Sequence, residues 1–283
     1  MVNSLQKGTS LHKPQIPIID EYNRNVSKGL KSPTISIITI AKNNELGLEK
    51  TLGSILEQDF SSWELIIVIG KSDDRTEVIA KNFQSASQRV IVVIQKDTGI
   101  YEAMNLGVSE VQTDYIWFMN AGDTFNNAES LRIGALEASK HDRGLLIGHH
   151  QIQGSDRLFN NPVGPIKKQR LAFSRRGNCH QAMIFKASYL TGKPAFDVNY
   201  RFAADYKLAL RVVGLGGGYR IPEVICKVEP GGVSDVNLSE VHREKHHIRL
   251  EILGESLWLR GFSRFWIFLL FTKVRTRKIM QKC

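Results

Sequence analysis

The side chains best suited to chemistry in this sequence lie between Lys96 and Asp123. Within that stretch a short apolar run, Tyr115 to Met119, stops at Asn120-Ala121-Gly122-Asp123. Open α/β sheets bind ligands just beyond the carboxyl ends of their strands, and carboxylate oxygen is a preferred ligand of Mg²⁺. We therefore predict that Asp123 binds a metal ion or a diphosphate, and the alternative is a turn or helix N-cap role.

Hydrophobic periodicity around this stretch predicts strands that alternate with helices. The predicted strands are 35–40, 63–69, 90–94, 115–119, 145–149, 182–185 and 219–228. The predicted helices are 45–58, 72–83, 101–111, 129–140, 202–213 and 239–260. This alternation favours an α/β fold with a mostly parallel sheet and helices on both faces. Residues 150–180 are rich in Pro, Gly and basic side chains, and they predict either a mobile loop over an acceptor or an ordinary surface loop.

Charge is concentrated at the two ends of this 283-residue chain, whose net charge is +10. Basic and acidic residues balance at 23 each in residues 32–240, whereas residues 241–283 hold 10 against 3 and residues 1–31 hold 5 against 2. A nucleic-acid-binding core would carry its basic face on the fold itself, so nucleic acid is not an expected partner. Basic tails suit an anionic membrane surface, and a solvated charge run is the alternative.

Cysteine usage and the amino terminus predict a cytoplasmic protein. Cys179, Cys226 and Cys283 follow no zinc or disulfide spacing, as expected for reduced thiols. The first 30 residues contain no apolar signal segment, and no run in the sequence reaches the ~20 apolar residues of a membrane span.

The ordered stretch DTGIYEAMN, the strand that ends at Met119 and the acidic loop at Asp123 together resemble the family 2 glycosyltransferases. The resemblance is strongest to bacterial members that build surface polysaccharides. It implies a GT-A-like domain over residues 33–235, between an irregular arm, 1–32, and basic amphipathic helices, 236–283. It also implies transfer of one sugar from a nucleotide-sugar donor, with inversion, and a divalent metal cofactor, Mn²⁺ or Mg²⁺.

The same resemblance implies a role for each polar residue near the predicted site. Asp123 would hold the metal and the donor diphosphate, and Asp205 would be the general base that takes the proton of the acceptor hydroxyl. His180 and Gln181 would line the acceptor and diphosphate side. The alternatives are a surface salt bridge for Asp205 and a structural role for His180.

Further donor contacts are implied for the turn and helix before the acidic loop. Asp97 would lie near the donor ribose or base, and Gly99 would allow close approach of the backbone. Tyr101 and Asn105 are one helical turn apart and would face the same side. The alternative is structural, with Asp97 as an N-cap, Tyr101 in the core and Asn105 bridging backbone groups.

Two departures from the family pattern bear on donor binding. The usual Asp-x-Asp is here Asn120-x-x-Asp123, which leaves one carboxylate and makes the substrate phosphates essential metal ligands. The Asp that reads the nucleobase is replaced by Ile69, which cannot hydrogen-bond a base. Asp73 or Asp74 could substitute for it from the next turn, and Lys71 could contact a phosphate.

Two rival functions follow from these departures. A catalytically degenerate glycosyltransferase that acts as a scaffold or binding protein is favoured by Ile69 and the single carboxylate. A nucleotidyltransferase on a similar sheet would carry a Gly-rich, basic loop after its first strand, and Ala41-Lys42-Asn43-Asn44 matches this poorly.

The carboxyl-terminal tail has the composition of a helix that lies in a membrane interface. Aromatic and aliphatic residues fill 257–271, and cations follow them over 273–278. We expect a peripheral protein on the cytoplasmic face of the inner membrane, with a saccharide or lipid-linked saccharide as acceptor. A core or dimer-contact helix is the alternative, and the basic helix over 242–249 could also contribute cations to the leaving diphosphate.

Overall fold

A mixed β-sheet of nine strands forms the centre of the described fold. This computed structural model describes residues 34–96, 99–155, 161–174, 178–232 and 237–254. The strands are β1 Ile35–Ala41, β2 Trp63–Ile69, β3 Val90–Ile94, β4 Tyr115–Phe118, β5 Thr124–Phe125, β6 Leu145–Ile152, β7 Gly164–Ile166, β8 Met183–Lys186 and β9 Gly218–Val228. The α-helices are α1 Glu45–Leu56, α2 Thr76–Ala86, α3 Ile100–Ser109, α4 Ser130–His141, α5 Lys168–Ala172, α6 Ala204–Gly216 and α7 Leu238–Leu253.

The first four strands are parallel and lie in the order β3-β2-β1-β4. The chain crosses back after one parallel strand to the edge of the sheet where that strand began, and it starts the next strand there. Their carboxyl ends therefore meet at one edge of the sheet, which is where α/β folds place ligands. Asn120 and the residues after β1 and β2 all lie at this edge, called here the ligand edge.

Helices cover both faces of this parallel half. Ile38 pairs with Phe118, so these two side chains share one face, while Trp117 points to the other. Gly107 brings α3 directly against Ile38, and Gly134 brings α4 directly against Trp117, because a Cβ at either glycine would collide with those side chains. The tight packing of the two helices fixes the plane of β4 and hence the position of the loop that follows it.

The second half of the sheet reverses direction. β8 is antiparallel to both β4 and β6, β6 is parallel to β9, and β5 and β7 are antiparallel to β9. Because β8 runs against β4, the beginning of β8 lies beside the end of β4, where Trp117 pairs with Ile184. A 3₁₀ turn, His180–Ala182, immediately precedes β8, and this order of elements brings it to the ligand edge.

The predicted fold class is confirmed, with a sheet flanked by helices and a carboxyl-terminal helix, α7. The bounds of β2 and β3 agree with the sequence prediction, and most other elements differ by one to three residues. Residues 150–180 are less irregular than predicted, because β6 extends to Ile152 and the segment also contains β7 and α5. These elements and β5 are held by pairing or packing with distant residues, which hydrophobic periodicity does not report.

The helix α7 packs against α6 rather than lying apart from the sheet domain. Lys207 on α6 donates to Asp197 Oδ2 at 2.6 Å and forms an ion pair with Glu251 on α7, also at 2.6 Å. Ile248 of α7 is completely buried in the same core cluster as Leu208. The predicted arm, 1–32, and the aromatic tail, 257–278, lie outside the described residues. In the part of the chain that is described, no helix has the length and apolar character needed to span a membrane.

We predict that Lys207→Met lowers the free energy of unfolding by about 1 kcal/mol near neutral pH, because it removes charge-assisted hydrogen bonds that solvent partly screens. Lys207 lowers the pKa of Asp197, so this contribution is present above the ordinary carboxyl value of 3.8 and is lost as the pH falls through the lowered pKa. Burial opposes a charged Lys207, but Asp197 and Glu251 outweigh it and raise the lysine pKa, so its contribution holds until alkaline pH.

Urea unfolding of wild type and variant, followed from neutral to acidic pH, measures the difference. Lys81→Met is the matched control, since Lys81 pairs with Glu77 on an exposed helix face and its replacement should change stability by less than about 0.5 kcal/mol. Equal losses in the two variants, or a Lys207→Met loss that does not shrink in acid, would contradict the prediction.

Candidate active site

The loop after β4 is shaped by backbone contacts with α1. Gly122 has a φ of 102°, a left-handed conformation that favours glycine, and its N–H donates to Thr51 Oγ1 at 3.0 Å. Thr51 Oγ1 lies 2.7 Å from the carbonyl oxygen of Asp123, to which it donates. The loop therefore turns Asp123 back toward the sheet, and Asp123 is only 5% exposed.

The Asp123 carboxylate is held on both oxygens. Oδ1 accepts a hydrogen bond from the backbone N–H of Glu229, just past β9, at 2.9 Å. Oδ2 accepts from Nε2 of Gln181 at 2.5 Å. Burial raises the pKa of Asp123, and the two donors act in the opposite direction. A buried carboxylate whose charge is only partly compensated attracts a cation.

Two further side chains whose oxygens could bind a cation lie beside Asp123. The Asn120 amide places Nδ2 3.0 Å from Nε2 of His180, and its Oδ1 is buried without a hydrogen-bond partner among the described residues. The Glu229 side chain lies against Gly122, where it occupies the space that a Cβ would fill. Amide and carboxylate oxygens suit Mg²⁺ or Mn²⁺, so the residues present fit such an ion.

Glu229 was not identified from the sequence, because it follows β9, about a hundred residues after the acidic loop. Within the described residues, no three His, Cys, Asp or Glu side chains are grouped closely enough to hold a metal by themselves.

A second carboxylate, Asp205, lies on the other side of the His180–Ala182 turn. It is in the first turn of α6, with its side chain 20% exposed, and its Oδ2 is 3.7 Å from Nδ1 of His180. Its Oδ1 accepts from the backbone N–H of Tyr206 at 2.7 Å and from the Tyr101 hydroxyl at 3.4 Å. Two elements that are distant in sequence, the His180–Ala182 turn and α3, thus converge on a carboxylate of α6.

The charge states of His180 and Asp205 are coupled. Burial acts to raise the pKa of Asp205, but pairing with His180 and the positive charge of Lys245 outweigh it and lower the pKa. Burial likewise acts to lower the pKa of His180, but pairing with Asp205 outweighs it and the pKa rises. The site therefore keeps Asp205 ionised at neutral pH, as a proton acceptor must be.

The sequence profile of Glycosyl transferase family 2 matches residues 36–191, more than half of the chain. The chain belongs to glycosyltransferase family 2. It is therefore a nucleotide-sugar-dependent glycosyltransferase, and the resemblance inferred from the sequence is confirmed.

Relatives of this glycosyltransferase include a PGL/p-HBAD biosynthesis glycosyltransferase of Mycobacterium tuberculosis, 29% identical over 184 residues, which are 64% of this chain and 70% of the relative. Among solved structures, S. aureus TarS 1-349 superimposes with a TM-score of 0.63 at 16% identity, over 80% of this chain and 68% of that one. The mannosyltransferase PcManGT from Pyrobaculum calidifontis, in complex with GDP-Man and Mn²⁺, gives a TM-score of 0.56 at 16% identity, over 83% and 69% of the two chains. At these identities the structures establish the GT-A fold.

The remaining predicted residues of the glycosyltransferase take different places. Lys71 and Asp73 are exposed at the ligand edge, where the Asp73 N–H donates to Asn43 Oδ1 at 2.8 Å. Gly99 is the N-cap of α3 and has a φ of 139°. Asp97 lies outside the described residues.

Asn105 and Tyr101 both contact Phe196, in the segment between β8 and α6. The Asn105 side chain exchanges two hydrogen bonds with the backbone of Phe196, at 2.9 and 2.8 Å, and this is the backbone-bridging alternative named for it. The Tyr101 ring stacks on Phe196 with centroids 5.3 Å apart. Tyr101 thus combines core packing with its contact to Asp205, and α3 serves the Asp205 side of the site.

The helix α7 contributes two residues that sequence reasoning did not single out. The Glu244 carboxylate accepts three backbone hydrogen bonds, from Arg201, Phe202 and Ala203, each at 2.8 Å. These amides immediately precede α6, so Glu244 fixes the start of the helix that carries Asp205. Lys245 lies 5.4 Å from the Tyr206 ring centre, and its charge acts on Asp205. Neither role leaves a local sequence signal.

We predict that Glu244→Ala lowers the free energy of unfolding by about 2 kcal/mol, because three backbone N–H groups lose their acceptor. Its kcat should fall about tenfold, since Asp205 loses its fixed position, while the KM for the donor changes little. Denaturant unfolding and steady-state kinetics measure the two effects.

Glu240→Ala is the control on the same helix, because Glu240 pairs with the exposed Arg243. A Glu244→Ala enzyme with wild-type kcat would show that α7 does not position Asp205.

Proposed function

We propose that this family 2 glycosyltransferase transfers one sugar from a nucleotide-sugar donor to a saccharide acceptor, with inversion at the anomeric carbon.

 The acceptor in this proposal is a lipid-linked saccharide of bacterial surface polysaccharide synthesis. The observation that carries the proposal is the separation of two carboxylates by the His180–Ala182 turn. Asp123 lies on the cation side of that turn and Asp205 on the other, so a cation ligand and a proton acceptor are available at once.

Asp205 is the proposed general base. One proton passes from the acceptor hydroxyl to the Asp205 carboxylate as the acceptor oxygen bonds to the anomeric carbon. The bond from that carbon to the diphosphate breaks, and its electron pair leaves with the diphosphate. Because the attack is direct and in line, no covalent sugar intermediate forms and the configuration inverts. His180 and Tyr101 hold the carboxylate in place during this step.

The cation side of the site would receive the donor diphosphate. Asp123, Asn120 Oδ1 and the Glu229 carboxylate are the residues that would hold a divalent cation. A bound Mg²⁺ or Mn²⁺ would neutralise charge on the leaving diphosphate. Gln181 orients Asp123 for this role by donating to Oδ2, so the His180–Ala182 turn serves both sides of the site.

The identity of the donor nucleotide depends on which residues contact its base. Ile69 is completely buried and offers no hydrogen-bonding group to a base. The solved TarS 1-349 complex contains UDP-GlcNAc, and the PcManGT complex contains GDP-Man. Uridine and guanosine diphosphate sugars are therefore the first donors to test, with Lys71 and Asp73 available at the exposed edge.

The acceptor and location rest on the sequence of the tail. Aromatic residues followed by cations over 257–278 favour binding at an anionic membrane surface, which suits a lipid-linked acceptor on the cytoplasmic face. The scaffold alternative is supported by Ile69 and by the single carboxylate of the acidic loop. Metal-dependent donor binding distinguishes the transferase from the scaffold, because a scaffold that has lost catalysis does not need to bind a donor.

We predict that the wild-type protein hydrolyses one sugar donor of a UDP-, GDP-, CMP- and dTDP-sugar panel when Mn²⁺ or Mg²⁺ is present. Asp123→Asn should abolish both donor binding and hydrolysis, because the cation loses its charged ligand. Asp205→Asn should retain donor binding and reduce transfer to an acceptor by at least about 100-fold, as expected for loss of a general base.

Calorimetry measures donor binding, and nucleotide release measures turnover. Asp142→Asn is the control, since Asp142 is exposed in the loop after α4 and forms a salt bridge with Lys186. A panel without metal-dependent binding to any donor would reject the transferase proposal and favour the scaffold.

We also predict that Asn120→Asp tightens Mn²⁺ binding in the presence of donor by about tenfold, because it adds a carboxylate where the family usually has one. Asn120→Leu should weaken binding, since it removes the free Oδ1. Calorimetric titration of Mn²⁺ into the protein with UDP or GDP measures both. Equal affinity in all three proteins would show that Asn120 does not contact the ion.

A further inference from the structure

Arg220 is a buried cation outside the site described above. It lies on β9, is 5% exposed, and donates from one guanidinium nitrogen to Asn178 Oδ1 at 2.7 Å. Across the described ranges, no Asp or Glu forms an ion pair with it. Burial lowers the pKa of Arg220 to about 10, and the positive charge of Arg170 adds to the effect. A buried charge without a counter-ion is costly, so its presence calls for an anionic partner.

Arg220 and Arg170 line the same pocket. Arg170 belongs to α5, and the pocket wall also includes the polar side chains of Asn161 and Ser174. Apolar side chains complete it, among them Leu171. Among the described residues, none that lines the pocket is acidic, and two guanidinium groups face this concave space. Planar guanidinium groups match the oxygens of a phosphate in geometry and charge.

We propose that the pocket between Arg220 and Arg170 binds a phosphate group carried by the acceptor. This inference rests on the proposed function, in which the acceptor saccharide is attached to a lipid. The ligand class is a phosphate ester or diphosphate, and the site is separate from the donor diphosphate site at Asp123.

The pocket is joined to Asp205 by two connections. Asn178, which accepts from Arg220, is two residues before His180, the partner of Asp205. The Tyr206 hydroxyl donates at 2.7 Å to the carbonyl oxygen of Ala172, at the end of α5. A phosphate held here would therefore place the attached saccharide on the Asp205 side of the site, where the acceptor hydroxyl must lie.

The test is calorimetric titration with inorganic phosphate, inorganic pyrophosphate and geranyl diphosphate, a soluble isoprenoid diphosphate. All titrations contain EDTA, so that cation-dependent binding at Asp123 does not contribute. Arg170→Gln and Arg220→Gln should each weaken binding at least about tenfold, as expected for loss of one charge-assisted hydrogen bond. Arg143→Gln is the matched control, because Arg143 is exposed and lies outside the pocket.

Thermal unfolding of each variant shows whether it is folded, and Arg170 is exposed, so its replacement tests the pocket even if Arg220→Gln does not fold. Tighter binding of geranyl diphosphate than of pyrophosphate, lost in Arg170→Gln, supports a lipid carrier as the source. Equal binding of the two, also lost in that variant, supports recognition of the phosphate alone. No binding, or equal binding by wild type, Arg170→Gln and Arg143→Gln, overturns the proposal. Metal-dependent donor binding by the wild-type protein tests the transferase proposal separately.

Discussion

The two hydrogen bonds that hold the buried Asp123 carboxylate are the interaction on which the rest of the site depends. One comes from the backbone after β9 and the other from Gln181 before β8, so neither exists until the second half of the sheet has formed. A carboxylate buried without such donors would be protonated or would disfavour folding. The antiparallel return of β8 beside β4 is therefore required by the chemistry as well as by the packing.

The His180–Ala182 turn contacts both carboxylates of the site. His180 contacts Asn120 on one side and Asp205 on the other, while the next residue holds Asp123. A displacement of the turn would move both carboxylates together. Burial and pairing act in opposite directions on the pKa values of His180 and Asp205, and pairing prevails for both, so the pKa of His180 rises and the pKa of Asp205 falls.

The helix α7 also helps to position the site. Glu244 accepts hydrogen bonds from the amides that precede α6, and the charge of Lys245 acts on Asp205, so a helix outside the predicted GT-A-like domain supports the candidate base.

The sequence by itself predicted the parallel half of the sheet and the candidate Asp123, whereas Asp205 was implied by the family resemblance. Continuous β-branched strands, helical periodicity and a carboxylate after a buried strand are local patterns, and local patterns can be read without a structure. Only the tertiary structure decided that Glu229, Glu244 and Lys245 join these residues. Their contacts connect positions that are far apart in the chain, and such contacts depend on strand order and helix packing, for which no short-range signal exists.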